Sequence, residues 1–304
     1  MNAESLDPRL LATLAAVAET GSFSAAADAR HLTQPAVSQQ IAALERQVGE
    51  PVLHRRPLRP TATGEVLLAA AARIRAALSS ADQELRALRE GGLGSVTVAA
   101  FNSAAAGPVP AALAAFHREL PGVAVGLSQM EPRDAYPALV RGEVDIAVTY
   151  RYPQSQKLIP DAVRAEVVAV DDFVAVVPAA HPLAERATVT LQDAVSAGLI
   201  GTPLSEVPLP WPADVQREDR HLVRFSGEDY TTTLELVAHG LGVALVPELV
   251  TRRRLGDVRA VPLQGRPWHR RVLVAVLADT RPTAAMEAMA RHLTAAMTTR
   301  QGSA

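Results

Sequence analysis

Between Phe23 and Gly49 the apolar positions fall into two short helical runs parted by a tight break. Ser24 is the expected N-cap of the first run, and the alanine-rich stretch 25–29 is a strong helix former. His31-Leu32-Thr33 interrupts it. Thr33 then caps a second helix, whose first turn accepts Pro35 because no partner awaits its missing N–H. In that helix Val37, Ile41, Leu44 and Val48 recur at helical spacing and predict one buried stripe. Upstream, Asp7-Pro8 opens a helix with Leu10, Leu11, Leu14 and Val17 on one face and Gly21 at its end. Together these predict a three-helix core.

From 65 to 90 the pattern is one long helix without Pro or Gly. Leu67, Ala71, Ile74, Leu78, Ala81, Leu85 and Leu88 alternate three and four apart. That seven-residue repeat suits packing against another helix of its kind, and predicts a dimerisation helix. A helix lying on its own domain would show a wider apolar stripe. Gly91-Gly92-Leu93-Gly94 forms the joint that ends it.

Beyond the joint, Val-rich runs alternate with helical ones over 95–101, 109–118, 123–129, 134–141 and 144–150. This β-α-β-α-β order implies parallel strands with crossover helices. A second set covers 173–177, 191–194, 199–201, 222–225, 231–239 and 243–246. A strand at 271–277 and a helix at 282–297 close the chain, the strand being long enough to return to the first sheet. The expected fold is α/β with an all-α N-terminal part, its second region made of two lobes joined by two chain crossings.

Composition narrows the class. The chain has 304 residues, 48% of them hydrophobic and only 4% aromatic, so Leu, Val and Ala must fill more than one core. There is no uninterrupted apolar run of spanning length, and the polar start MNAESLDPRL is unlike a signal peptide. With no cysteine, disulfides and thiolate chemistry are excluded. A cytoplasmic location is expected.

The second helix carries Gln34, Ser38 and Gln39 off its buried stripe. Short amides and hydroxyls suit base edges in a DNA major groove, whereas an ordinary solvated face carries Lys and Glu. An ordinary helical hairpin would share the spacing, and the next segment separates the two readings. Residues 53–61, LHRRPLRPT, are basic and too rich in Pro for a helix, and fit a wing whose Arg55, Arg56 and Arg59 reach phosphates. The net charge of −2 argues against nucleic acid, but between Arg30 and Arg59 five Arg stand against two Glu. That modest surplus calls for a dimer, and for binding that weakens steeply with salt.

The run AAA…LTQPAVSQQIAALE-QVG-PVL-RR…T-TGE resembles the N-terminal module of the LysR-type transcriptional regulators. The resemblance implies a winged helix-turn-helix over 1–62, with Thr33, Gln34, Pro35, Ser38, Gln39, Arg55, Arg56 and Arg59 at DNA, and a linker and dimerisation helix over 63–91. It implies an effector domain over 92–304, similar to periplasmic solute-binding proteins: one lobe of 92–163 plus 268–304, the other of 164–267. The landmarks there are looser: Gly-Glu-Val-Asp-Ile-Ala at 142–147, His181-Pro182-Leu183 and Gly240-Leu241-Gly242-Val243-Ala244. The family implies a homodimer or homotetramer on a near-palindromic promoter, and no cofactor. Gln39 departs from it, since an Arg is common there, and the wing is short and proline-stiffened.

Ligands of α/β sheets collect at the carboxyl ends of strands and between lobes. The first strand runs into Asn102 and Ser103, whose N–H groups and hydroxyl suit an anion. Gln129 and Tyr150 end the next two strands; Thr202 and Pro247 follow strands of the second lobe. By resemblance, Ser103 and Thr202 match positions that hold a small-molecule inducer, with carboxylates among the expected classes. Each of these residues also fits a plain cap or loop role. Arg133, Arg151 and Arg224 are candidate counter-charges or ordinary surface arginines. The proline-rich run 203–212 with Trp211 is either a lid or packed on its own lobe.

The rival is a two-lobed ligand-binding protein or enzyme whose N-terminal helices serve protein contacts. Eight histidines show no metal spacing, and there is no G-x-S-x-G elbow, P-loop or G-x-G-x-x-G after a strand. No catalytic residue and no metal is expected.

Overall fold

The computed structural model describes residues 6–90, 94–153, 155, 159–201, 221–227, 229–252, 256–266, 268–278 and 282–298. Two compact units are distinguished, divided within one long helix. No helix of the described residues is long and apolar enough to cross a membrane.

The N-terminal unit begins with α1 (Pro8–Thr20), α2 (Phe23–Arg30) and α3 (Gln34–Val48). The Asp7 carboxylate accepts from Arg9 N to start α1, and Gly21, at φ 63°, ends it in the left-handed region that glycine adopts without strain. The cap of α2 is Ser22, not the expected Ser24. Ser22 has extended backbone and its hydroxyl accepts from Ala25 N, while Ser24 already lies within the first turn. Thr33 caps α3 as expected, accepting from Ala36 N at 3.3 Å. Val37, Ile41 and Leu44 are fully buried against Leu11, Leu14, Val17, Ala26 and Ala27. Each such leucine or isoleucine contributes about 1.5–3 kcal/mol, and the alanines of α2 let the helices cross closely.

A hairpin of β1 (Leu53–Arg55) and β2 (Leu58–Pro60) follows, antiparallel, with Leu53 opposite Pro60. Helix α4 spans Ala62–Glu90 and so begins before the expected residue 65. The reason is Thr61, whose hydroxyl accepts from Gly64 N at 3.1 Å, which places the cap ahead of the glycine. Gly64 is required for packing: a Cβ there would stand 2.1 Å from the Val52 carbonyl oxygen. Along α4, Leu67 and Ala71 bury into the unit's own core, whereas Leu78 is 65% and Leu85 49% exposed.

The C-terminal unit contains β3 (Ser95–Ala100), α5 (Asn102–Ala106), α6 (Pro108–Glu119), β4 (Ala124–Gln129), α7 (Pro132–Arg141) and β5 (Ile146–Arg151). Next come β6 (Val163–Pro178), α8 (Leu191–Ser196), β7 (Leu199–Gly201), β8 (His221–Arg224), α9 (Tyr230–Ala238) and β9 (Ala244–Pro247). The unit ends with β10 (Val258–Pro262), β11 (His269–Leu277) and α10 (Ala284–Thr298). Strands β3, β4 and β5 are parallel, as their spacing predicts. The returning β11 joins β5 antiparallel, so the first sheet is mixed, in the order β4-β3-β5-β11-β6.

Strand β6 makes the lobes. The sequence pattern predicts only its last part, 173–177, because 163–172 mixes apolar with charged residues. The strand in fact has 16 residues. Val163 to Asp172 pair with β11, while Phe173 to Pro178 pair with β9 and β10 in a second sheet. Bridges continue that sheet from β9 to β7 and β8. The first lobe's core lies between its sheet and α6 and α10, around Val96, Val98, Phe116, Ile146 and Leu293. The second lobe has a core on each face, one around Phe173, Leu199 and Trp268, the other around Val176, Ile200 and Val237. The strand β10 and the short helix α5 carried no pattern that announced them.

Candidate functional site

Two sets of residues concern function, one in each unit. On α3, Gln34 and Gln39 are exposed and Ser38 is half-buried, all away from Val37, Ile41 and Leu44. Thr33 and Pro35 are exposed at the helix start. Gln40 turns inward instead, its Oε1 accepting from the Thr13 hydroxyl and tying α3 to α1.

The wing places Arg55, Arg56 and Arg59 in solvent. Arg55 has a second attachment: its guanidinium lies 5.4 Å above the Phe23 ring and 4.0 Å from Glu45. The other Glu45 oxygen accepts from Val52 N at 3.1 Å, so one carboxylate pins the wing's base to α3. The Arg55–Glu45 pair itself, with Arg55 62% exposed, contributes little. This unit therefore presents short polar side chains on a rigid helix beside three cations. That combination suits the edges of bases flanked by phosphates.

In the C-terminal unit the expected ligand residues separate into groups. Ser103 and Tyr150 meet at a residue that the sequence reading missed, Arg270 on β11. Arg270 and its partner Asp171 on β6 are each only 2% exposed at the side chain. Arg270 Nε donates to Asp171 Oδ2 at 2.8 Å, and a terminal N–H donates to the Ser103 hydroxyl. The rings of Phe101 and Tyr150 each lie 4.6 Å from the guanidinium carbon. The other Asp171 oxygen accepts from Leu249 N, in the turn that follows β9.

Asn102 is present at the cleft, but its backbone N–H donates to Glu131 Oε1 at 3.3 Å. Glu131 Oε2 also accepts from the Tyr150 hydroxyl at 2.9 Å. The Asn102 N–H expected to await an anion thus already holds a carboxylate of the chain, and the Ser103 hydroxyl already accepts from Arg270. Gln129 ends β4 exposed, and Pro247 is buried in β9 opposite Phe173. Neither touches Arg270 through any described bond. Thr202 lies outside the described residues, as do 203–212 with Trp211. Of the proposed counter-charges, Arg133, Arg151 and Arg224 are all exposed, and Arg133 pairs with Asp134.

Electrostatics follow from burial. Burial raises the Tyr150 hydroxyl well above its ordinary value, and the Glu131 charge raises it further, so Tyr150 is a neutral donor. Burial likewise raises Tyr152 and Tyr230. For Arg270, burial pulls downward most strongly, but the Asp171 charge together with the neighbouring tyrosines outweighs it, and the guanidinium stays protonated. An aromatic chain, Phe101–Tyr150–Tyr152–Phe173–Trp268, runs from the first lobe into the second past this cation.

Next to Ser103 lies a cavity of about 10 Å³ lined by Asn102, Ser103, Gly107, Tyr230, Leu249 and Val250. It accommodates about one water, so a larger ligand requires the lobes to part. Gly107 lets them approach, since a Cβ there would stand 2.8 Å from the Ser103 carbonyl oxygen and 3.3 Å from that of Leu249.

A signal for Arg270 existed. It shares strand parity with buried Val272 and Val274, just as Asp171 does with Phe173 and Ala175. Only the pairing of β6 with β11, a long-range fact, makes the two charges neighbours.

Comparisons with known proteins agree with both units. The family described as bacterial regulatory helix-turn-helix protein, lysR family, matches residues 8–65, and the LysR substrate binding domain matches 89–298. The probable HTH-type transcriptional regulator LrrA of Synechococcus elongatus is 33% identical over 274 residues, 88% of this chain and 90% of that protein. The HTH-type transcriptional regulator CbbR of Xanthobacter flavus is 36% identical over 182 residues, 59% of this chain and 52% of its own length. Among solved structures, full-length CbnR complexed with target DNA aligns over 96% of this chain and 100% of that one, with TM-score 0.56 and 24% identity. Full-length BenM aligns over 95% of each chain, with TM-score 0.52 and 21% identity. These two likenesses concern the fold.

Proposed function

This chain belongs to the LysR-type family of transcriptional regulators, and from that membership we propose how its own residues divide the work. Gln34, Ser38 and Gln39 read base edges, with Thr33 and Pro35 fixing the start of the reading helix. Arg55, Arg56 and Arg59 hold phosphates. The observation that carries this reading is that Gln34 and Gln39 are exposed and Ser38 half-buried while Val37, Ile41 and Leu44 on the same helix are fully buried. Residues 1–62 form the DNA-binding part, 63–91 the linker helix and 92–304 the effector part; the lobe boundary expected between 163 and 164 shifts to between 172 and 173, because 163–172 pair with β11 in the first lobe's sheet, so the lobes are 92–172 plus 268–304 and 173–267.

Self-association runs through α4. Leu78 and Leu85 continue the heptad begun by Leu67 and Ala71 but are exposed within a single chain, which supports a second copy of α4 as their cover. A dimer presents two reading helices to half-sites about 34 Å apart or a multiple of it. A small-molecule effector enters between the lobes beside Ser103, Asn102 and Tyr150. Its unequal affinity for the open and closed lobes supplies the coupling to DNA. No catalytic role is assigned.

The test is a gel-shift titration on the DNA upstream of the protein's own gene, with salt varied. Saturable, sequence-dependent binding with a steep salt slope is expected. Weak binding that ignores sequence would favour the reading in which the N-terminal helices serve a protein partner.

A further inference from the structure

The first lobe's sheet ends at an uncovered strand. In the order β4-β3-β5-β11-β6, residues 163–172 of β6 are the outer member, and no strand of the described residues pairs with their other edge. The ladder fixes which backbone groups face outward. Ala278 N donates to the Ala162 carbonyl, so by the alternation of an antiparallel pair Arg164 and Glu166 also turn their backbone groups to β11. Those of Val163, Ala165 and Val167 point to the free edge, where Val163 N already donates to the Pro160 carbonyl. A β-bulge at Val168 ends this regular stretch.

Side chains alternate along the same residues. Arg164 and Glu166 line a groove of about 640 Å³ between β6 and α10, floored by Val274, Val276, Met286 and Ala290. Val167, 49% exposed, lies on the opposite face. Sheet edges are commonly blunted by Lys, whose charge repels a second copy, or by Pro. Residues 163–167 contain neither. Their charges are one Arg and one Glu, both exposed, and neither forms an ion pair among the described residues.

We propose that this edge pairs with the same edge of a second copy, antiparallel about a two-fold axis through Ala165. Ala165 then meets the partner's Ala165 through its outward N–H and C=O, and Val163 meets the partner's Val167. Arg164 stands opposite the partner's Glu166, and Glu166 opposite the partner's Arg164. These are non-hydrogen-bonded positions, where antiparallel side chains approach most closely. Sliding the partner to the next register in one direction sets Arg164 against the partner's Arg164, and in the other Glu166 against the partner's Glu166. Like charges directly opposite are destabilising, so the charges themselves select the register.

A two-fold axis perpendicular to the sheet keeps both α10 helices on one face. The two grooves join, and the stems of the partner's Arg164 and the partner's Glu166 lie over their apolar floor. The contact is isologous and separate from the α4 seam, so a chain that uses both assembles beyond a dimer.

The chain has no cysteine, so a single introduced thiol reports on this contact alone. In full-length Ala165→Cys the two thiols lie across a hydrogen-bonded pair, with Cα atoms about 5.5 Å apart and within disulfide range. Mild oxidation should link the protein into covalent dimers on a non-reducing gel. Val170→Cys, exposed on the same strand but away from the axis, should stay largely unlinked. Adding Arg164→Glu or Glu166→Arg to Ala165→Cys should slow linking about tenfold, since each turns both attractive pairs repulsive. Making the two changes together sets opposite charges face to face again and should restore the rate. Linking of Ala165→Cys no faster than that of Val170→Cys overturns the proposal. So do single charge changes without effect, or a double change that fails to recover what the single ones remove.

Discussion

Arg270 and Asp171 face each other across the antiparallel pairing of β6 and β11, Nε to Oδ2 at 2.8 Å, with almost no solvent on either side chain. The pair sits where β6 passes from one sheet to the other, so it bears on stability as well as on recognition.

Removing one member leaves the other charge buried and unmatched. Asp171→Ala or Arg270→Met is expected to destabilise the C-terminal unit by about 3–5 kcal/mol. The double variant should cost much less than the two summed. Urea unfolding of all four proteins completes the cycle; additive losses would mean that the two charges do not depend on each other.

At the DNA face, Gln34→Ala should relax sequence preference at one base position while leaving non-specific binding nearly intact. Arg56→Ala or Arg59→Ala should weaken binding to all sequences alike and reduce the salt slope by about 1. Titrations on cognate and scrambled DNA at several salt concentrations discriminate. Identical behaviour of the Gln and Arg variants would refute the division of labour.

Gly64 gives a steric prediction. Its Cβ would overlap the Val52 carbonyl at 2.1 Å, and both are backbone-fixed. Gly64→Ala should push α4 away from the base of the wing and destabilise the N-terminal unit by about 1–3 kcal/mol. DNA affinity should fall with it. A thermal unfolding scan that matches wild type would show that the backbone yields there.

Leu78→Glu together with Leu85→Glu should dissociate the protein in sedimentation without loss of helical circular dichroism, because both side chains are exposed within one chain. Unchanged sedimentation would place self-association elsewhere.

Asp229 caps α9, accepting from Thr231 N at 3.0 Å and Thr232 N at 2.9 Å. Burial raises its carboxyl, but those hydrogen bonds outweigh burial and hold it below the ordinary carboxylate value. Its stabilising contribution is therefore present above the unfolded-state value, about 3.9, and disappears as pH falls through the lower folded one. Asp229→Ala should cost about 1 kcal/mol at neutral pH. The gap from wild type should close as pH drops below about 4. A gap that stays constant down to acid would mean that the charge is not what the cap uses.

Local chemistry made the N-terminal unit legible. Gly21, Thr33, Pro35 and the Val37–Ile41–Leu44 spacing each act within one helix, and all appear as read. Ser22 displaced Ser24 because caps are decided by the backbone angle of one residue, which spacing does not report. In the C-terminal unit most elements and the parallel β3–β5 pairing were legible, but β10, α5, the first part of β6 and its pairing with β11 were not. Residues 163–172 hide a strand because β11 covers one edge while their side chains remain partly in water. Ser103 and Tyr150 were found from strand ends, but their common partner stands 167 residues beyond Ser103 in the chain. Arg133, Arg151 and Arg224, candidate counter-charges or ordinary surface arginines, all face solvent.

A single strand, β6, contributes its first ten residues to one lobe and its last six to the other. With no loop at that crossing, there is no free pivot. Relative motion of the lobes must be absorbed as twist spread over several hydrogen-bonded residues, as in a torsion bar. Such a bar stores work in proportion to the square of the angle. It favours small rotations that spring back, and it makes the stiffness of β6, set around Asp171 to Phe173, the quantity that fixes how strongly a bound molecule must pull before the far end of the protein responds.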